Sequence, residues 1–313
     1  MSETMLFCDL SVKGQVRAAL WTRGRGLGAQ GRYAAATAPE FEAAVLEFLE
    51  QNDAPFLTAA ALAAPGWEEG GIQHMPNHGY SLEREWLRKV FNINRVHMVN
   101  PTVARALSIE SLDAGDYEVL NAGENDPDQA KCIVGTGPGL GMAMLIQDHY
   151  GEWTAFSGAG GHNDLIIITE REWNVYQALA AKFGRVSTER VVSLNGLSEI
   201  WQALAPDANQ APASAETIAA MAKQGDARAR EAVDLCLTWL ARAASDMALM
   251  LGARGGVYLT GELMELLDSL LDRDRFRDTF CYKGRLTRYL EAVPIYIIKS
   301  HECEFKGLAT LFA

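Results

Sequence analysis

The sequence predicts an α/β fold. Short apolar runs of strand character alternate with amphipathic helical stretches along the chain. The clearest helical stretch stops at a glycine, and the next strand follows at once. A glycine-dense turn in mid-chain joins an apolar strand to a second apolar segment.

From the amino terminus, MLFCDL and QVRAALW read as a strand pair joined by a short loop at Ser11–Gly14. Residues 39–51 (PEFEAAVLEFLEQ) have helical periodicity, with Phe41, Val45, Phe48 and Leu49 on one face. PFLTAAALAAPG predicts a buried strand ending in a turn, SLEREWLRKVF a helix capped by Ser81, and RVHMVN a further strand. CIVGTG opens a second series of strands and helices. Between Asp226 and Gly252, the residues Val233, Leu237, Leu240, Ala244, Met247 and Leu251 alternate in steps of four and three and form one apolar stripe. That stripe suits core or subunit packing better than a cofactor surface. GGVYLTG follows as a strand, and residues 206–214 (PDANQAPAS) read as a small loop within a domain.

Composition narrows the function classes. The 313 residues suffice for two domains, and 49% hydrophobic with 22% charged residues is ordinary globular usage. Lys and Arg number 28 against 40 Asp and Glu, a net charge of −12 with no basic run, so neither nucleic acid nor an anionic membrane is an expected partner. Cys8, Cys132, Cys236, Cys281 and Cys303 are scattered with no C-x-x-C pair, which suits reduced thiols in a cytoplasmic protein. No leader-like start and no apolar run of about 20 residues is found, so a soluble protein is expected.

The stretch KCIVGTGPGLGMAML places Gly135, Gly137, Gly139 and Gly141 in one loop, where bare N–H groups suit an anion. His74 and His78 stand four apart, but they flank Pro76 and Asn77 in a turn, so a structural role is expected and no metal site is predicted.

Taken in order, CDLSVKGQVRAAL, MPNHGYSLE, VHMVNPTVARAL, VGTGPGLGMAML, SGAGGHNDL, GRVSTERVVSLNGL and GGVYLTGELM resemble the bacterial glucokinase family. The resemblance runs over nearly the whole chain. Its most specific signals are GxGxGLG with GGHxD, and the SxERVxSxxGL run. It implies the two-domain, actin-like ATPase or hexokinase (ribonuclease H-like) fold with a cleft. The expected small domain spans 1–108 and is completed by 296–313; the large domain spans 109–295. The family implies ATP and Mg²⁺ as cofactors, a small sugar as ligand and a homodimer as the assembly. Phosphoryl transfer to a sugar hydroxyl depends on positioning, phosphate cradles and a carboxylate base.

Carried over residue by residue, the resemblance makes Asn100, His162 and Glu189 sugar ligands. A second sugar glutamate of the family corresponds to Ala159 here. The aspartate that would act as base is replaced by Pro101, which has neither a carboxylate nor an N–H. A general base is worth roughly 10²–10⁴-fold; Thr102 is a poor substitute, and Asp164 matches an aspartate the family already has. In the first phosphate loop Asp9 and Arg17 correspond, but the paired glycines and the threonine are missing, leaving Lys13 and Gly14. The second phosphate loop keeps its glycines but carries Pro138 where the family has threonine. On the nucleotide side, Gly261 is followed by Glu262 in place of a second glycine. These departures speak against ATP and Mg²⁺ binding.

The expected function is therefore a glucokinase-like protein with impaired or lost hexose phosphorylation and a sugar-binding or regulatory role. The alternative is an active ATP-dependent glucokinase, or a sugar kinase with altered substrate and a relocated base. A repressor is not expected, since the sequence begins almost directly with its first strand. A purely structural subunit would pair through the Val233–Leu251 stripe.

Overall fold

The computed structural model describes residues 3–124, 126–205 and 211–312. Residues 206–210 of the expected 206–214 loop lie outside the described residues. The chain divides into two compact units, Met1–Asp113 with Ser300–Ala313, and Ala114–Lys299.

The first unit begins with β1 (Thr4–Asp9), β2 (Gln15–Thr22), β3 (Gly26–Ala34), α1 (Ala38–Gln51) and β4 (Leu57–Ala63). It continues with β5 (Trp67–Glu69), β6 (Ile72–Met75), β7 (Tyr80–Glu83), α2 (Arg84–Val90), β8 (Arg95–Val99) and α3 (Pro101–Ser108). The main sheet has the order β3-β2-β1-β4-β8, with β1, β4 and β8 parallel to one another. β1 is apolar from Met5 to Cys8 because both of its faces are covered. Leu6 and Cys8 join the cluster beneath α1, while Met5 and Phe7 join the opposite one. α1 starts where the Thr37 hydroxyl accepts the Glu40 N–H, and it buries Phe41, Val45, Phe48 and Leu49 as its periodicity predicts. Each such side chain contributes about 1.5–3 kcal/mol by leaving water.

Ser81 does not cap a helix. It lies in β7 opposite His74 of β6, and α2 begins at Arg84 with no side-chain cap. Antiparallel pairing in the small β5-β6-β7 sheet claims the residue that local sequence assigns to a cap.

The second unit contains β9 (Tyr117–Asn121), β10 (Lys131–Thr136), β11 (Leu140–Gln147), β12 (Trp153–Gly158), α4 (Glu170–Phe183), α5 (Leu194–Ala203) and α6 (Ala215–Lys223). After α7 (Ala227–Leu251) come β13 (Val257–Thr260), α8 (Glu262–Leu267), α9 (Arg273–Cys281), α10 (Thr287–Glu291) and β14 (Ile295–Ile298). Its sheet runs β12-β11-β10-β13-β14-β9. α7 is capped by Asp226 and ends at Gly252, which is left-handed at φ 61°. Its stripe is core: Val233, Leu240 and Ala244 are buried in the cluster that α7 shares with α5, α6 and α9. A face already covered by its own unit is not available for pairing with another subunit.

The second crossing between units falls at Lys299/Ser300, a few residues beyond the expected break at 296. The reason is β14, which pairs as one strand with β13 and β9 and so belongs to the second unit. The first break likewise follows Asp113 where 108 was expected, since the short 3₁₀ turn Ile109–Ser111 packs on α3. The chain then returns to the first unit as α11 (Cys303–Thr310), which packs on α3 so closely that a Cβ on Gly307 would lie 1.7 Å from the Ala104 carbonyl oxygen. Among the described residues no helix is long and apolar enough to cross a membrane, and the five cysteines are buried free thiols.

Candidate functional site

In the first unit the candidate residues emerge at the carboxyl ends of adjacent parallel strands, the usual place for ligands in open α/β sheets. Asp9 lies in register with Ala63, and Ala63 with Val99. The Leu10 N–H donates to the Ala63 carbonyl at 2.9 Å, which ties the start of the first loop to β4.

Asp9 is 2% exposed, and both of its oxygens have donors. The Ser11 N–H donates to Oδ1 at 2.9 Å, the Ser11 hydroxyl bonds the same oxygen, and Arg17 Nε–H donates to Oδ2 at 2.7 Å. Arg17 Nη2 also donates to Glu304 Oε2 at 2.6 Å, and Arg105 Nε donates to Glu304 Oε1 at 2.6 Å. Two carboxylates and two guanidinium groups thus alternate in a nearly dry chain. Burial presses the Glu304 pKa upward, but Arg105 and then Arg17 outweigh it and hold the carboxyl at about 2. Asp9 shifts upward, chiefly through burial and then through the charge of Glu304, with Arg17 and Ser11 opposing.

The loop itself turns at Gly14, φ 74°, while Lys13 points into solvent. His78 braces the loop from the side: its Nε2 lies 2.9 Å from the Leu10 carbonyl oxygen, and Nδ1 is buried without a partner among the described residues. Burial lowers the His78 pKa, against the pull of the Leu10 and Val12 carbonyls. His74 is elsewhere, stacked on Trp67 at 5.4 Å. Among the described residues no group of three or more His, Cys, Asp and Glu is arranged for a metal.

Asn100 is the N-cap of α3, its Oδ1 accepting the Thr102 N–H at 2.9 Å. Pro101, buried, is the first helical residue. That position suits proline, because the missing N–H would be unsatisfied there anyway and the ring presets a helical φ. The fold gains a good helix start at the residue where a base was sought.

In the second unit, the glycine loop joins β10 to β11 at the carboxyl end of β10, beside the end of the parallel strand β13. Its backbone groups are largely committed. Gly137 N–H donates to the Gly139 carbonyl at 2.9 Å, and the Leu194 N–H donates to the Gly137 carbonyl at 2.8 Å. The Leu140 N–H donates to Glu189 Oε2 at 2.9 Å, and Pro138 has no N–H to offer. Thr136, 1% exposed, donates its hydroxyl to the Thr260 carbonyl and accepts the Met264 N–H at 3.1 Å, capping α8 from the neighbouring strand. Gly261 makes this approach possible: at φ 102°, a Cβ there would stand 2.1 Å from the Thr136 carbonyl oxygen.

The GGH turn packs on the same loop. A Cβ on Gly161 would lie 2.3 Å from the Leu140 carbonyl oxygen, so only glycine permits the contact. Ala159 precedes the 3₁₀ turn Gly160–His162 and is exposed. His162 Nε2 lies 4.0 Å from Glu189 Oε1, so Glu189 stands between the imidazole and the glycine loop. Asp164 is paired with Arg185 at 2.7 Å.

The family model named Glucokinase matches residues 14–313. A glucokinase of Chromobacterium violaceum is 34% identical over 280 residues, covering 88% of this chain and 80% of that protein. The chain belongs to the glucokinase family.

Its fold is the actin-like ATPase fold of the sugar kinases. A glucokinase from an Antarctic psychrotroph superimposes with a TM-score of 0.84 at 24% identity, covering 99% of this chain and 98% of that one. A glucokinase from Balamuthia mandrillaris in complex with glucose gives 0.81 at 18% identity, covering 100% and 94%.

Of the candidate residues, the second unit brings together His162, Glu189, Gly137 and Gly139 around the Leu140 N–H, with Gly135 and Gly141 paired across β10 and β11 just behind the turn. The first unit holds Asp9 and Asn100 at strand ends of one sheet. The residues present do not fit the nucleotide and Mg²⁺ that the family implies. The Asp9 oxygens already have donors, and the glycine loop bonds its own backbone. Sequence reading missed Arg105 and Glu304, which stand 199 residues apart and meet only when α11 docks on α3. The structural role expected of His78 from its place in a turn is the brace on the Leu10 carbonyl.

Proposed function

We propose that this glucokinase-family member has lost, or nearly lost, ATP-dependent hexose phosphorylation and acts as a sugar-binding or regulatory protein. The observation that carries the reading is Pro101. It is the first residue of α3, with Asn100 capping the helix, and it supplies no carboxylate where family motifs place the base. Thr102, next in the chain, carries a hydroxyl and no carboxylate, and the Asp164 carboxylate of the second unit is paired with Arg185.

The retained cluster of His162 and Glu189 supports a sugar ligand, and the glucose held by the relative from Balamuthia mandrillaris points the same way. An imidazole and a carboxylate offer a donor and acceptors to sugar hydroxyls.

The test is a coupled assay with glucose and other hexoses in the presence of Mg-ATP. Turnover below about 0.01 s⁻¹ is expected, against roughly 1–100 s⁻¹ for working kinases. Turnover in the kinase range overturns the proposal and selects the reading of an active sugar kinase with a relocated base. Calorimetry with glucose alone tests the sugar half, where a saturable heat that weakens in Glu189→Ala is expected.

A further inference from the structure

The loop between β10 and β11 has the glycine content of an anion cradle, yet a carboxylate of the chain itself lies against it. A Cβ built on Gly137 would stand 3.7 Å from Glu262 Oε2, an ordinary van der Waals distance. We infer that Glu262 determines which ligands this loop accepts, excluding phosphoryl groups and leaving uncharged hydroxylated ligands to the neighbouring His162 and Glu189. This rests on the proposed loss of phosphorylation but concerns a separate step, nucleotide binding.

Three features support it. First, two negative charges within about 4 Å repel strongly where protein walls lower the dielectric. Second, several of the donors that would offset a phosphate are already used, since Gly137 N–H, Leu140 N–H and the Thr136 hydroxyl are bonded within the protein and Pro138 has none. Third, the Met264 N–H near the start of α8 is already capped by Thr136, so this end of the helix has a cap that does not depend on the Glu262 side chain.

An acid in the first turn of a helix also stabilises that helix through its dipole. Glu262→Gln and Glu262→Gly separate the two roles. Both variants remove the charge, but Gln keeps the size and the helix.

The experiment is calorimetric titration of Mg-ATP into the full chain and both variants, with thermal denaturation as a check on folding. The unaltered protein should show no saturation at several millimolar nucleotide. Glu262→Gln should bind at least about tenfold more tightly than the unaltered chain, and Glu262→Gly more tightly still. The inference is overturned by submillimolar binding to the unaltered protein, or by folded variants that bind no better than it does. Hexose turnover is read in parallel: turnover by the unaltered chain defeats the proposed function, whereas folded but nucleotide-blind variants defeat only the role of Glu262.

Discussion

The β1–β2 loop of the first unit and the β10–β11 loop of the second hold equivalent stations, each leaving the carboxyl end of a strand with a parallel neighbour. They are held in opposite ways. The first is fixed by side-chain charge: Asp9, Arg17, Glu304 and Arg105 in series, with His78 against the Leu10 carbonyl. The second is fixed by backbone, through glycines that allow contact and N–H groups that bond to nearby carbonyls and to Glu189. The contrast teaches that two loops at equivalent strand ends can be fixed by different means. One is held by a network of charged side chains, and the other by glycines whose neighbours bond within the loop and to Glu189.

The comparison breaks most severely at Glu304. Glu304→Ala leaves Arg105 and Arg17 without a shared acceptor and should cost about 3–5 kcal/mol in chemical denaturation of the full chain. Hydrogen exchange should then rise in β1, β2 and α11 while β10 and β11 keep their protection. Equal loss in both loops would show that they are not independent.

The same residue sets an acid limit. With its folded pKa at about 2, below the ordinary 4.5, Glu304 stabilises the fold fully above the ordinary value, and this is lost as pH falls from roughly 5 to 2. Asp9, shifted upward, works in the opposite sense and reduces the net loss. A Glu304→Gln variant should therefore show a flatter denaturation midpoint over that range; an unchanged slope would remove Glu304 from the account.

Next in size is Gly261→Ala, which attacks the backbone-held loop. It forces a side chain at φ 102° and a clash with the Thr136 carbonyl, at a cost of about 1–3 kcal/mol or more. Exchange should rise first at α8 and the β10–β11 turn. The smallest effect is expected for Asn100→Ala, about 1 kcal/mol for a lost N-cap, with Asn100→Asp close to neutral. A loss well above that range would mean that Asn100 holds more than the first turn of α3.

Much of the fold was legible in the sequence where periodicity was strong. β1, β2, α1, β4 and α7 each carry an apolar pattern that their burial matches. The β5-β6-β7 sheet was not legible, because three short strands with exposed polar positions leave no alternation to read. Motifs located the glycine loop, His162 and Glu189, but their order along the chain gave no hint that Glu189 accepts the Leu140 N–H. The Glu262 carboxylate at Gly137 was equally hidden, since it depends on how α8 lies against β10.

The close seat of Gly307 on Ala104 bears on the order in which the chain can be made. Phe305, Leu308 and Phe312 belong to a core whose other buried members, Met5, Phe7 and Ala104 among them, precede the whole second unit. A ribosome finishes the second unit before it releases the residues that complete the first. The amino-terminal sheet must therefore wait with one face uncovered, its apolar side chains exposed to aggregation and to chaperones, until the last helix of the chain arrives.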